Sequence, residues 1–119
     1  FTTGAAPALA AAGLAALRIV KEEPWRREKV LSLAGRLRSA LEVMGFHSGD
    51  NNSAIVPAVI GEAAATMDAC KALLERGIFV QGIRPPTVPE GTSRLRINLS
   101  AAHDDDQLDR LIAALGEVL

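Results

Sequence analysis

Apolar residues recur along this chain with two spacings, one at threes and fours and one at alternate positions. Pro7 to about Lys21 reads as a helix, with Pro7 tolerated in its first turn. Ala8, Ala11, Ala12, Ala15 and Ala16 give it small residues that allow close packing. Pro24 to Met44 reads as a second helix, in which Trp25, Leu33, Leu37, Leu41 and Met44 fall at helical intervals. Gly45 then supplies a stop signal. The polar cluster Ser48-Gly49-Asp50-Asn51-Asn52-Ser53 reads as a turn.

Ala54 to Ile60 follows as a strand, and Pro57 within it argues for a sheet edge or a bulge. Glu62 to Arg76 reads as a helix closed by Gly77, and Ile78 to Gln81 as a second strand. Arg94 to Leu99 alternates strictly, with Leu95, Ile97 and Leu99 on one side and Arg94, Arg96 and Asn98 on the other. The last helix begins at Asp104, a good N-cap, with Gln107 at the reciprocal capping position. Leu108, Leu111, Ile112, Leu115 and Leu119 form its apolar stripe.

The order helix, helix, strand, helix, strand, strand, helix predicts an α+β fold: a small sheet of about three strands, covered by helices mainly on one face. The alternation in the last strand leaves a polar sheet face open. Residues 1–23 form a linking helix and residues 24–119 the α+β domain.

Composition narrows the chemistry. At 119 residues the chain holds one domain at most, and with 3 % aromatic residues its core has to be aliphatic. A formal charge of −1 offers no field for nucleic acid or an anionic membrane surface. The apolar run from Ala8 to Leu17 is too short to span a bilayer, and the start lacks the basic region of a signal peptide. Cys70 is the single cysteine, so it forms no intrachain disulfide. His47 and His103 lack ligand spacing, and the acidic triplet Asp104-Asp105-Asp106 suits a helix start better than a metal site. These features suit a reducing cytoplasm. The chain opens at Phe1 without methionine, which fits processing or a domain drawn from a longer protein.

Self-sufficient catalytic machinery is missing: the chain has no glycine-rich phosphate loop and no nucleophile paired with a histidine. Lys21, Lys29 and Lys71 read as solvated helix side chains. The informative segment is Gly82-Ile83-Arg84-Pro85-Pro86-Thr87-Val88-Pro89. Arg84 precedes Pro85, so its backbone is held extended and its planar fork suits a carboxylate or phosphate. A rigid surface connection with an incidental arginine accounts for the same residues.

Ile78-Phe79-Val80-Gln81, then Ile83-Arg84-Pro85-Pro86-Thr87-Val88-Pro89, Gly91-Thr92-Ser93-Arg94-Leu95-Arg96-Ile97 and Leu99-Ser100-Ala101-Ala102-His103 resemble the C-terminal region of the α-oxoamine synthases. The resemblance covers essentially the whole chain, including Phe1-Thr2-Thr3 ahead of Pro7. These are pyridoxal-phosphate enzymes of the aspartate-aminotransferase fold that condense an amino acid with an acyl thioester. The resemblance implies a homodimer when full length, and substrate contacts by Arg84 on the amino-acid carboxylate and by Thr87. It also implies that Thr2 and Thr3 reach the cofactor phosphate of the partner subunit. The loop looks most like that of the members that use L-alanine. Glycine-using members, or a stand-alone carboxylate-binding module, are the alternatives. The family's Schiff-base lysine has no counterpart here, so the resemblance implies a chain that is inactive alone.

Overall fold

The computed structural model of the chain describes residues 3–49 and 52–119, so Asp50 and Asn51 of the predicted turn fall outside the described residues. The element order is α1 (Pro7–Glu22), α2 (Trp25–Val43), β1 (Ile55–Gly61), α3 (Ala63–Glu75), β2 (Gln81–Ile83), β3 (Ser93–Asn98) and α4 (Asp105–Val118). The α+β expectation holds. The three strands run β1-β3-β2, and both outer strands pair antiparallel with β3.

β3 owes its central place to its alternation. Ser93, Leu95 and Ile97 are buried, whereas Arg96 and Asn98 are exposed. The buried side meets Val56 and Ala58 of β1, and α2, α3 and α4 cover that side. Leu33, Leu37, Leu41, Leu73, Leu108 and Leu115 fill the space between, an aliphatic core as the composition requires. The opposite face of the sheet carries no helix. Pro57 sits on β1, an edge strand with a register shift between Val59 and Gly61, as the proline predicts.

Glycines close two helices by the same device. After α2, the Phe46 N–H donates to the Leu41 carbonyl at 2.9 Å, across Gly45 at φ +87°. After α3, the Ile78 N–H donates to the Leu73 carbonyl at 2.9 Å, across Gly77 at φ +75°. This second closure corrects the expected strand from Ile78 to Gln81. The Ile78 amide is committed to the helix end, so pairing with β3 starts only at Gln81 and runs to Ile83. Val80 still turns inward at 8 % exposure, while Phe79 is 82 % exposed.

Two features of the helices stand outside this core. Trp25 is 48 % exposed, in a first turn of α2 whose residues are all exposed, with the Arg26 guanidinium 4.6 Å from its ring centre. The alanines of α1 pack against nothing among the described residues, because no other element reaches them.

Polar contacts clasp the helices. Arg36 of α2 pairs with Asp105 and Asp109 of α4, and Lys29 donates to the Ala101 carbonyl at 2.9 Å. Arg76, which caps the end of α3, lies 3.3 Å from Glu117 of α4. The α4 cap is complete: Asp104 accepts from the Gln107 N–H at 2.7 Å, and Gln107 accepts from the Asp104 N–H at 3.1 Å.

Gly82 of β2 lies close against α3. A methyl group there would stand 2.9 Å from Cys70 Sγ and 3.2 Å from Met67 Sδ. The same crowding removes water from Cys70, and this desolvation raises its thiol pKa against a smaller opposing effect of the Gly82 backbone. Gly82→Val is expected to destabilise the full-length protein by about 1–3 kcal/mol. Cys70→Ala should restore part of that loss, as a double-mutant cycle of urea midpoints would reveal. Asp104→Ala should cost about 1 kcal/mol in the same measurement.

Candidate functional site on the open sheet face

The loop after β2 is organised by its prolines. The Thr87 N–H donates to the Arg84 carbonyl at 3.1 Å, closing a four-residue turn in which the Pro85–Pro86 peptide is cis. Its far end is tied by Thr92, whose hydroxyl donates to the Pro89 carbonyl at 2.7 Å. Arg94 Nε then donates to the Thr92 carbonyl at 2.9 Å, joining the loop to β3. Backbone and side chains therefore hold this connection at both ends.

A shallow depression lies on the uncovered face beside this loop. Ser53, Ile55, Pro57, Ile83, Thr87, Arg94 and Arg96 line it. The strands explain the grouping, since Arg96 stands opposite Pro57 on one side and Gln81 on the other, and Arg94 stands opposite Val59 and Ile83. Arg96 donates to Gln81 Oε1 at 2.6 Å, which steadies its guanidinium and leaves further N–H groups to donate.

The structure therefore divides the predicted substrate residues. Thr87 is exposed and belongs to the depression, while Arg84 is exposed at the turn and lies outside the lining. Arg94 and Arg96, legible beforehand only as the polar side of an alternating strand, share the depression with Thr87. Which strands flank β3 was the missing information. Thr3 is exposed ahead of α1, and Thr2 lies outside the described residues.

The electrostatics of this face are one-sided. No carboxylate lines the depression, and among the described residues the ion pairs employ Arg26, Arg36 and Arg76 instead. Arg84, Arg94 and Arg96 thus present guanidinium groups without acidic partners among the described residues. A planar anion is the chemistry this arrangement can hold, through fork-shaped hydrogen bonds.

Other candidate groups are committed locally. The Ser100 N–H donates to His103 Nδ1 at 3.1 Å, and the Ser100 hydroxyl accepts from the Ala102 N–H at 3.2 Å. The pair caps a turn and forms no nucleophile–base arrangement. No group of His, Cys, Asp or Glu among the described residues could hold a metal ion, and no described helix is long and apolar enough to cross a membrane.

Known proteins resemble this chain over its whole length. The family model for aminotransferase class I and II matches residues 1–115. An 8-amino-7-oxononanoate synthase of Anaeromyxobacter dehalogenans is 50 % identical over 119 residues, which is 100 % of this chain and 30 % of that protein. The synthase of Hahella chejuensis is 47 % identical over 115 residues, 97 % of this chain and 29 % of that one. Among solved structures, serine palmitoyltransferase of S. paucimobilis, bound to PLP and myriocin, superposes with a TM-score of 0.88 at 29 % identity. That match covers 99 % of this chain and 30 % of the transferase. An 8-amino-7-oxononanoate synthase from Francisella tularensis shares the fold, with a TM-score of 0.82 at 19 % identity over 98 % of this chain and 34 % of its own. The chain spans about 30 % of the length of the curated relatives it matches.

Proposed function

The chain belongs to the class I and II aminotransferase family, and from that premise we propose that it is part of an 8-amino-7-oxononanoate synthase. The full-length enzyme would condense L-alanine with pimeloyl-CoA, or the equivalent carrier-protein thioester, releasing carbon dioxide on the way to biotin. The observation that carries this reading is identity of 44–50 % over nearly the whole chain to relatives that bear that name. We place the enzyme in the cytoplasm as a homodimer.

Within it, this chain supplies recognition rather than bond-breaking. Pyridoxal phosphate, proposed here as the cofactor, finds no lysine anchor among these residues. Lys29 is committed to the Ala101 carbonyl, Lys21 and Lys71 lie on exposed helix surfaces, and none of them lines the sheet-face depression. The residues present supply no anchoring lysine for that group, and we assign its anchor to the rest of the enzyme. Thr2 and Thr3 are assigned to the cofactor phosphate of the partner subunit, through their hydroxyls.

Arg84 and Thr87 are assigned to the amino-acid substrate. The tied turn sets the backbone of Arg84, so its fork can meet a carboxylate at small entropic cost. A second reading is favoured by one observation: Thr87 shares its depression with Arg94 and Arg96. There the carboxylate would lie over β3, gripped by Arg96 and oriented by the Thr87 hydroxyl, with Arg84 at the rim.

Titrating the full-length enzyme with L-alanine, and following the visible spectrum of its cofactor, separates these readings. Arg84→Lys is expected to weaken binding about ten- to a hundredfold, the value of a charge-assisted hydrogen bond of roughly 1.5–3 kcal/mol. An unchanged Arg84→Lys beside an Arg96→Lys that loses the affinity would move the carboxylate onto the strand. Preference for glycine over L-alanine would keep the family and change the substrate. After incubation with pyridoxal phosphate and removal of the unbound cofactor, the 119-residue chain alone is expected to retain no stoichiometric aldimine absorbance.

A further inference from the structure

Arg96 has two cross-strand neighbours, and only one of them offers its side chain a hydrogen-bond acceptor. On β1 it stands opposite Pro57, whose ring is apolar, and on β2 opposite Gln81. Arg96 Nη2 donates to Gln81 Oε1 at 2.6 Å, the one hydrogen bond of its guanidinium among the described residues. Along β3 the next side chains on the same face are Arg94 and Asn98, about 7 Å away on either side. Arg94 is a like charge, and its Nε is turned to the Thr92 carbonyl of the loop.

The backbone beneath this contact is held from two directions. Gln81 pairs in register with Arg96 at the start of β2, and the next residue, Gly82, lies close against Cys70 and Met67 of α3. Gln81 itself is exposed and lies outside the lining of the depression. Its amide oxygen is a neutral acceptor. A guanidinium has five N–H donors, so the one given to Gln81 leaves four, enough for a two-pronged grip on an anion. The positive charge is left whole. A carboxylate in the same place would hold the guanidinium as well, but would cancel the charge that the site uses.

We propose that Gln81 is a positioning residue, which sets the Arg96 guanidinium across the strand pair without neutralising it, so that the substrate carboxylate meets a fork already in place. This rests on the reading in which that carboxylate lies over β3. A free arginine side chain gives up its rotamers when it binds, and the bond to Gln81 takes that ordering into the folded protein instead.

Two substitutions separate the acceptor from the charge. Gln81→Met keeps the length of the side chain and removes the acceptor, and Gln81→Glu keeps an acceptor and adds a carboxylate. Each full-length variant is titrated with L-alanine while the visible spectrum of its cofactor is followed. Gln81→Met is expected to weaken L-alanine about two- to tenfold, the effect of immobilising one long side chain on binding. Gln81→Glu is expected to weaken it further, because the substrate then competes with a carboxylate built into the protein. Gln81 is exposed, so both variants should keep their melting midpoints within about two degrees. Where Arg96→Lys is already present, Gln81→Met should cost little more affinity. An equal loss in both backgrounds, or no loss in either Gln81 variant, would overturn the positioning role while leaving the carboxylate over β3. A fall of several degrees shared by both variants would make Gln81 a structural residue and overturn it as well. Unchanged L-alanine affinity in Arg96→Lys would reject the reading beneath the proposal, and the proposal with it.

Discussion

The alternation of β3 is the constraint on which the rest of this molecule depends. One strand of six residues separates an aliphatic core from a cationic surface, and it does so residue by residue. Its buried members meet α3 and join the core in which α2, packed on β1, and α4, packed on α2 and α3, complete the cover. Its polar members cannot enter that core, because unpaired guanidinium groups there would cost several kcal/mol each. The open face is thus a result of how the core is built, and the site inherits its charge from the same strand.

Charge placement elsewhere follows a different logic. Arg36 and Arg76 spend their charge clasping helices to one another, where solvent makes each pair worth little on its own. The sheet-face arginines are spared such partners. A chain with a formal charge of −1 can nevertheless gather guanidinium groups at one place, which the net charge does not describe.

The readable features were those settled by local chemistry. The capping box of α4, its leucine stripe, the glycine stops and the edge position of Pro57 follow from a few neighbouring residues, and the structure agrees with each. Errors arose where distant elements decide. β2 starts later than its apolar residues suggest because a helix closure claims the Ile78 amide, and the periodicity that includes Trp25 does not reveal which of its members reach the core. The depression was not legible, since it takes residues from β1, β2, β3 and the proline loop that only the strand order brings together. The cis peptide between Pro85 and Pro86 has no signature distinguishing it from its trans form in the sequence.

Gly82 adds a further consequence. It faces α3 at the level where the outward side of β2 meets the site, and it has no side chain to vary. A side chain on β2 at this point would meet α3, while Arg94, Arg96 and Asn98 lie on the uncovered side of the neighbouring strand. Inheritance can therefore treat the two sides of this sheet as separate texts. Substitutions at the outward positions of β3 can change the charge and shape of the open face while the packing of the sheet against α3 is copied unchanged.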